Sequence, residues 1–282
     1  ISTSGLMSHW TGSCGSPLYY EILKRSAEKN EGDFKDRLDN LIDPEKLKTL
    51  YLEMLDEVGC RLMLYTFAED AICDGDKILG ATVINKSGKT DIYAKITIDA
   101  TGDGDIAAKS GAEFVTGRES DNKMQPATLM FKVGGVDMER AVFPESFETL
   151  VPTEKGELQA LAKEKLPHPA GHVLLYKSPI PGIVTCNMTN VTDIDGTRAE
   201  DLTRAEIVCR RQMPKIVEFL REFLFCHDFR IIPVDGVYHF INRHYGKSGN
   251  GNILAVKDVA KGVYIVVAKS DSDTRTYKVS LK

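Results

Sequence analysis

The stretch Thr97–Phe114, TIDATGDGDIAAKSGAEF, carries the residue types best suited to chemistry. Asp99, Asp103 and Asp105 stand around Gly102 and Gly104. Gly102, Gly104 and Ala107 fit the G-x-G-x-x-G/A spacing of a dinucleotide-binding turn. In such a turn the N–H groups opening a helix, with roughly half a positive charge, hold a pyrophosphate. Acids on the same turn oppose that field. A calcium loop is a second reading, with Asp99, Asp103 and Asp105 at ligand spacing, but the closing position is Ser110 where a bidentate Glu is needed. A third reading has the carboxylates accepting hydrogen bonds from sugar or ribityl hydroxyls, with glycine allowing close approach. The fourth is a tight turn whose acids cap the following helix, Asp105 being a good N-cap residue.

The turn needs elements to hold it. Asp43-Pro44 opens a helix, Asp as N-cap and Pro at the first position, where its missing N–H costs nothing. Leu47, Leu50, Tyr51, Met54, Leu55 and Val58 recur at helical spacing, and Gly59 ends the helix. An earlier helix spans 18–31, with Leu18, Ile22 and Leu23 or Ala27 on one side. Strands are expected at 61–66, 78–85 and 91–98, the last two joined by the hairpin turn Lys86-Ser87-Gly88-Lys89. Further strand candidates are 127–134 and a pair within 173–184. The strongest helix spans 196–225, with Leu202, Ala205, Cys209, Met213, Ile216, Leu220 and Phe223 on one face. Thr203 and Glu206 match a capping box, and Pro214 is expected to kink this helix. Beyond 226 the helical period stops, and 263–268 with 275–281 read as a β-hairpin around Ser270–Asp273. The order of elements predicts an α/β fold with a small antiparallel sheet.

Composition sets the outer bounds. The 282 residues are 42% hydrophobic and 27% charged, with a net charge of −5. The negative balance and the lack of a basic stripe argue against nucleic acid. The longest apolar runs are far below the ~20 residues of a membrane-spanning helix. Six cysteines are scattered without CxxC spacing, which argues against zinc and for reduced, mostly buried thiols.

Longer motifs carry a resemblance. IDATGDGDIAAKSGAEF, then GRESDNKMQPATLMFKVGGVD, closely resembles the FAD-dependent oxidoreductase family of the glutathione-reductase-like flavoprotein class. NMTNVTDIDGTRAEDLTRAEIVCRRQ resembles a later segment of that family, and ISTSGLMSHWTG the loop that follows its first glycine-rich turn. The likeness covers about residues 1–223. It implies an incomplete Rossmann-like FAD-binding domain at 1–115, a substrate domain with the long helix at 116–226, and a β-rich tail at 227–282. The family's amino-terminal strand and G-x-G-x-x-G turn precede the point where this sequence starts, so a fragment is expected. GVYIVVAKSDSDTRTYKVSLK resembles the sorting tail of proteins exported by the bacterial type IX system. Localisation is therefore cytoplasmic by default, or exported if that tail is a signal.

By resemblance, Ala100, Thr101, Gly102, Asp103 and Gly104 lie along FAD, with Thr3, Ser4 and Gly5 nearer the ring and Phe67 and Ala68 passing the adenine. The expected partner is a small-molecule substrate. Candidates on the substrate side are His9, which titrates near neutral pH, Gln125, with both amide functions, and Asn187. Cys14 has no basic neighbour to activate it. Asp121 lies near the distance of a ribose-binding acid, within a loop. His168 and His172 read as loop punctuation among Pro167, Pro169 and Gly171. Arg210 and Arg211 read as a solvated helix face. The alternative to an enzyme is a non-catalytic remnant or secreted binding module that holds no flavin.

Overall fold

The computed structural model describes residues 15–30 and 42–223, together with the backbone of three short strands at 230–232, 243–244 and 265–267. Along the chain run α1 (Pro17–Lys29), α2 (Pro44–Glu57), β1 (Phe67–Asp74), β2 (Lys77–Asn85), β3 (Gly88–Tyr93), β4 (Thr97–Asp99), α3 (Asp105–Lys109) and β5 (Val115–Thr116). Then come β6 (Phe131–Gly134), β7 (Pro152–Thr153), β8 (Gly156–Glu157), α4 (Leu158–Lys165), β9 (Leu175–Lys177), β10 (Ile183–Cys186) and α5 (Ala199–Phe223). The short strands are β11 (Arg230–Ile232), β12 (Arg243–His244) and β13 (Ile265–Val267). The fold is mixed α/β with small antiparallel sheets, the class expected from the sequence. Its residues group into two compact units.

One unit joins the described residues up to Gly59 with Pro126–Phe223 and β11. Asp43 caps α2 as its sequence requires: Oδ1 accepts from the N–H of Glu45 at 3.0 Å and of Lys46 at 3.2 Å. Gly59 follows the helix end at φ +62°. Ile42, Leu47 and Leu50 form a buried cluster, with Ile22, Tyr51 and Met54 packed on it. In α1 the buried side is Leu23, Ser26 and Ala27, whereas Leu18 is exposed. Arg25 and Lys29 tie α1 to Glu57 and Glu53 of α2.

The same unit holds a four-stranded antiparallel sheet, ordered β11-β6-β10-β9. The long helix α5 is fastened beside it by Gln212, whose amide accepts from Asn190 N–H at 2.9 Å and donates to Asn190 carbonyl at 2.8 Å. Ala205, Cys209, Met213, Ile216, Leu220 and Phe223 are buried along α5 as its periodicity predicts. One local expectation fails. Thr203 lies inside the helix, its hydroxyl donating to the Ala199 carbonyl, so no capping box forms there. Pro214 lies within the helix. Helix α4 and the ribbon β7-β8 were not foreseen. Glu157 caps α4, accepting from Gln159 N–H at 2.9 Å and Ala160 N–H at 2.6 Å.

The other unit comprises Cys60–Gln125 with β12 and β13. β1, β2 and β3 form an antiparallel meander, and Lys86-Ser87 is its second turn, closed by Ser87 N–H donating to Asn85 Oδ1 at 2.8 Å. A Cβ on Gly80 would collide with the Ile92 carbonyl, so only glycine allows β3 to lie this close. Residues 61–66, expected as a strand, are not one. Tyr65 there has φ +53°, a left-handed conformation that breaks extension before β1 begins at Phe67. The strand expected over 91–98 divides into β3 and β4. β13 pairs antiparallel with β4; the other half of the hairpin expected around Ser270–Asp273 lies outside the described residues.

Candidate functional site

The turn between β4 and α3 is built around Asp99. Its side chain is 4% exposed. Oδ1 accepts from Thr101 N–H at 3.0 Å and from Thr101 Oγ1 at 2.7 Å, while Oδ2 accepts from Ala107 N–H at 2.8 Å. Thr101 Oγ1 in turn accepts from Asp105 N–H at 2.8 Å. One carboxylate and one hydroxyl therefore take up the N–H groups of Thr101, Asp105 and Ala107. Gly102 at φ +99° and Gly104 at φ +67° make the reversal that a β-carbon would strain. Gly104 is the N-cap position and Asp105 the first helical residue, which corrects the expectation that Asp105 is the cap.

This geometry sorts the readings of the turn. A pyrophosphate needs free N–H groups at the helix start, and those of Asp105 and Ala107 are already bonded internally. Among the described residues no cluster of three or more His, Cys, Asp or Glu could hold a metal ion. Capping is real, but Asp99 performs it. Ala100 and Thr101 stay exposed and Gly102 half-buried, giving a lip without bulk. Asp103 is half-buried beside them, one carboxylate oxygen turned inside. Helix α3 lies against β1, with Lys109 Nζ donating to the Glu69 carbonyl. Phe67, 77% exposed, and Ala68 open that strand, paired with Ile84 and Val83.

The remaining candidates are dispersed. Thr3, Ser4, Gly5, His9 and Cys14 lie outside the described residues. Gln125 is exposed. Asp121 is held in a two-pronged pair by Arg118, Nε and Nη2 each at 2.6 Å, which brings its carboxyl down to about 2. Arg210 pairs with Glu206, and Arg211 is exposed. Cys60 and Cys73 are exposed free thiols, Cys186 and Cys209 buried ones. Asn187 stands in the four-stranded unit, where Nδ2 donates to Tyr176 Oη at 3.2 Å. His172, which reads as punctuation in the sequence, is brought to the same place: Nε2 lies 3.1 Å from the Asn187 carbonyl, and Phe147 packs edge-on to the imidazole at 4.5 Å. No local signal marks His172, since it lies before β9 and meets Asn187 only through the tertiary fold.

Residues 2–256 match the family described as FAD dependent oxidoreductase. The chain belongs to that family. Two solved structures are similar to it. L-proline dehydrogenase from P. horikoshii is 15% identical, TM-score 0.39, over 84% of this chain and 54% of its own. The OxyS anhydrotetracycline hydroxylase from Streptomyces rimosus is 14% identical, TM-score 0.38, over 73% of this chain and 34% of its own. The chain thus spans about half the length of the first and a third of the second. No curated protein sequence matches it. Among the described residues no helix is long and apolar enough to cross a membrane.

Membership implies FAD, and the turn fits that group. A left-handed glycine pair beside an exposed Ala100-Thr101 lip lets a flat or hydroxylated molecule approach the main chain. Exposed Ile98 in the preceding strand supplies apolar surface.

Proposed function

We propose that this member of the family is a FAD-dependent oxidoreductase of the glutathione-reductase-like class acting on a small molecule. The bend from Ala100 to Gly104 contacts the ribityl and ribose hydroxyls of the flavin nucleotide, not its phosphates. The observation that supports this is the internal use of the Asp105 and Ala107 N–H groups, which leaves the exposed Ala100 and Thr101 and the half-buried Gly102 as the outward surface of the bend. Phe67 and Ala68 pass the adenine, and Thr3, Ser4 and Gly5 approach the ring. The flavin supplies the redox step when bound; the protein orients it and admits substrate. His9, Gln125 and Asn187 are the substrate-side candidates. Residues 1–115 would serve the cofactor and 116–226 the substrate, with 227–282 as a type IX-like sorting tail.

A second reading, a binding module without flavin, draws on the same turn: with Asp99 closing it internally, the bend does not need a cofactor to be stable. Titration of the purified full chain with FAD separates the two. Flavin fluorescence should be quenched on binding, and Gly102→Val, which forces a β-branched residue to φ near +99°, should weaken binding by roughly tenfold or more. A colourless protein that leaves added FAD unaltered, with the wild-type chain folded, overturns the enzymatic reading.

A further inference from the structure

The four-stranded sheet carries a polar row that neither the cofactor turn nor the fold accounts for. Thr185 of β10 pairs with Lys132 of β6 on one side and with Tyr176 of β9 on the other. Residues opposite each other in antiparallel strands share a face, so the ammonium, the hydroxyl and the phenol line up across the sheet. Asn187 lies two residues beyond Thr185, on the same face by alternation, and its bond to Tyr176 Oη agrees. His172 closes the row through the Asn187 carbonyl.

Two features of this row call for an occupant. Thr185 is 0% exposed, and its Oγ1 has no hydrogen-bond partner among the described residues. Buried hydroxyls are otherwise nearly always bonded. Lys132 is 9% exposed, and no hydrogen bond or ion pair to a described residue neutralises it. Burial lowers its pKa, and Asp43 and Glu45 at the start of α2 act on it only through space, in the opposite direction. Tyr176, Asn187 and His172 are half-buried, so the row runs from a covered cationic end to an accessible end.

We propose that this row binds a small monocarboxylic acid, the substrate class of the oxidoreductase. Lys132 and Thr185 receive the carboxylate, and Tyr176 and Asn187 orient the remainder. A single ammonium matches a single negative charge, and the field of Asp43 and Glu45 opposes a phosphate dianion more than a monoanion. The substrate assignment rests on the oxidoreductase reading; the binding site does not.

The test uses the full chain and benzoate, with benzamide as its neutral isostere and inorganic phosphate as the dianion, followed by titration calorimetry without flavin. Benzoate should bind, and the other two should not. Lys132→Met and Thr185→Val should each weaken benzoate by roughly tenfold or more. Tyr176→Phe, which removes only an oxygen at the accessible end, serves should the buried variants fail to fold, and should weaken it by a few-fold. FAD titration of the same variants should be unchanged. Equal binding of benzoate and benzamide, no benzoate binding to a folded chain, or variants with wild-type benzoate affinity would overturn the proposal. Benzoate binding in a chain that ignores FAD would instead sustain the site and remove the oxidoreductase reading.

Discussion

At the scale of the residue, Asp99 shows how one side chain can settle the use of its neighbours. It takes up the N–H of Thr101, two positions on, and that of Ala107, eight positions on, and so ties the strand end to the first turn of α3. That choice is invisible in a linear reading, because it depends on how far α3 folds back over β4. His172 makes a second case. Burial lowers its pKa, and the Asn187 carbonyl opposes this in part. The unfolded chain then takes up the proton first as pH falls. Stability is therefore full above about pH 6.5 and is lost as pH drops below the ordinary histidine value toward the folded one. Melting temperatures of wild type and His172→Gln between about pH 5 and pH 7.5 should show a slope in the first that is flattened in the second. Equal slopes would mean that His172 carries no such linkage.

At the scale of the element, the helices with local punctuation were legible and those set by tertiary contact were not. Asp43-Pro44 and Gly59 mark α2 from sequence alone. In contrast α4 opens on Glu157, a residue rarely sought as a cap, and 61–66 has the apolar content of a strand yet turns at Tyr65. Helix α5 was found by its period and misjudged at its start, since Thr203 bonds back to Ala199 instead of capping. Pro214 is exposed within it, flanked by buried Met213 and Ile216. Packing on that buried side keeps the helix continuous at the expense of one backbone hydrogen bond. Pro214→Ala should therefore raise unfolding stability by about 1–3 kcal/mol, read from urea melts at unchanged m-value. A neutral or negative change would show that the local backbone has already adapted to the ring.

At the scale of the whole molecule, the sequence reading recovered the α/β class and the β2-β3 hairpin, because hairpin turns and alternating strands are local signals, but it placed the strand before them at 61–66 and missed β1. The grouping of the amino-terminal helices with residues 126–223 was not legible, since it joins segments far apart in the chain. The polar row on the four-stranded sheet was missed for the same reason: Lys132, Tyr176 and Thr185 meet only through strand register. The four described cysteines follow this grouping. Cys60 and Cys73 are exposed in one unit, while Cys186 and Cys209 are buried in the other; burial raises the pKa of both buried thiols, and lesser burial together with Asp70 raises that of Cys73 too. The chain thus carries its own chemical stopwatch. Under iodoacetamide, peptide-resolved mass spectrometry should find the first two alkylated at once, and the second two modified only as fast as their unit breathes open.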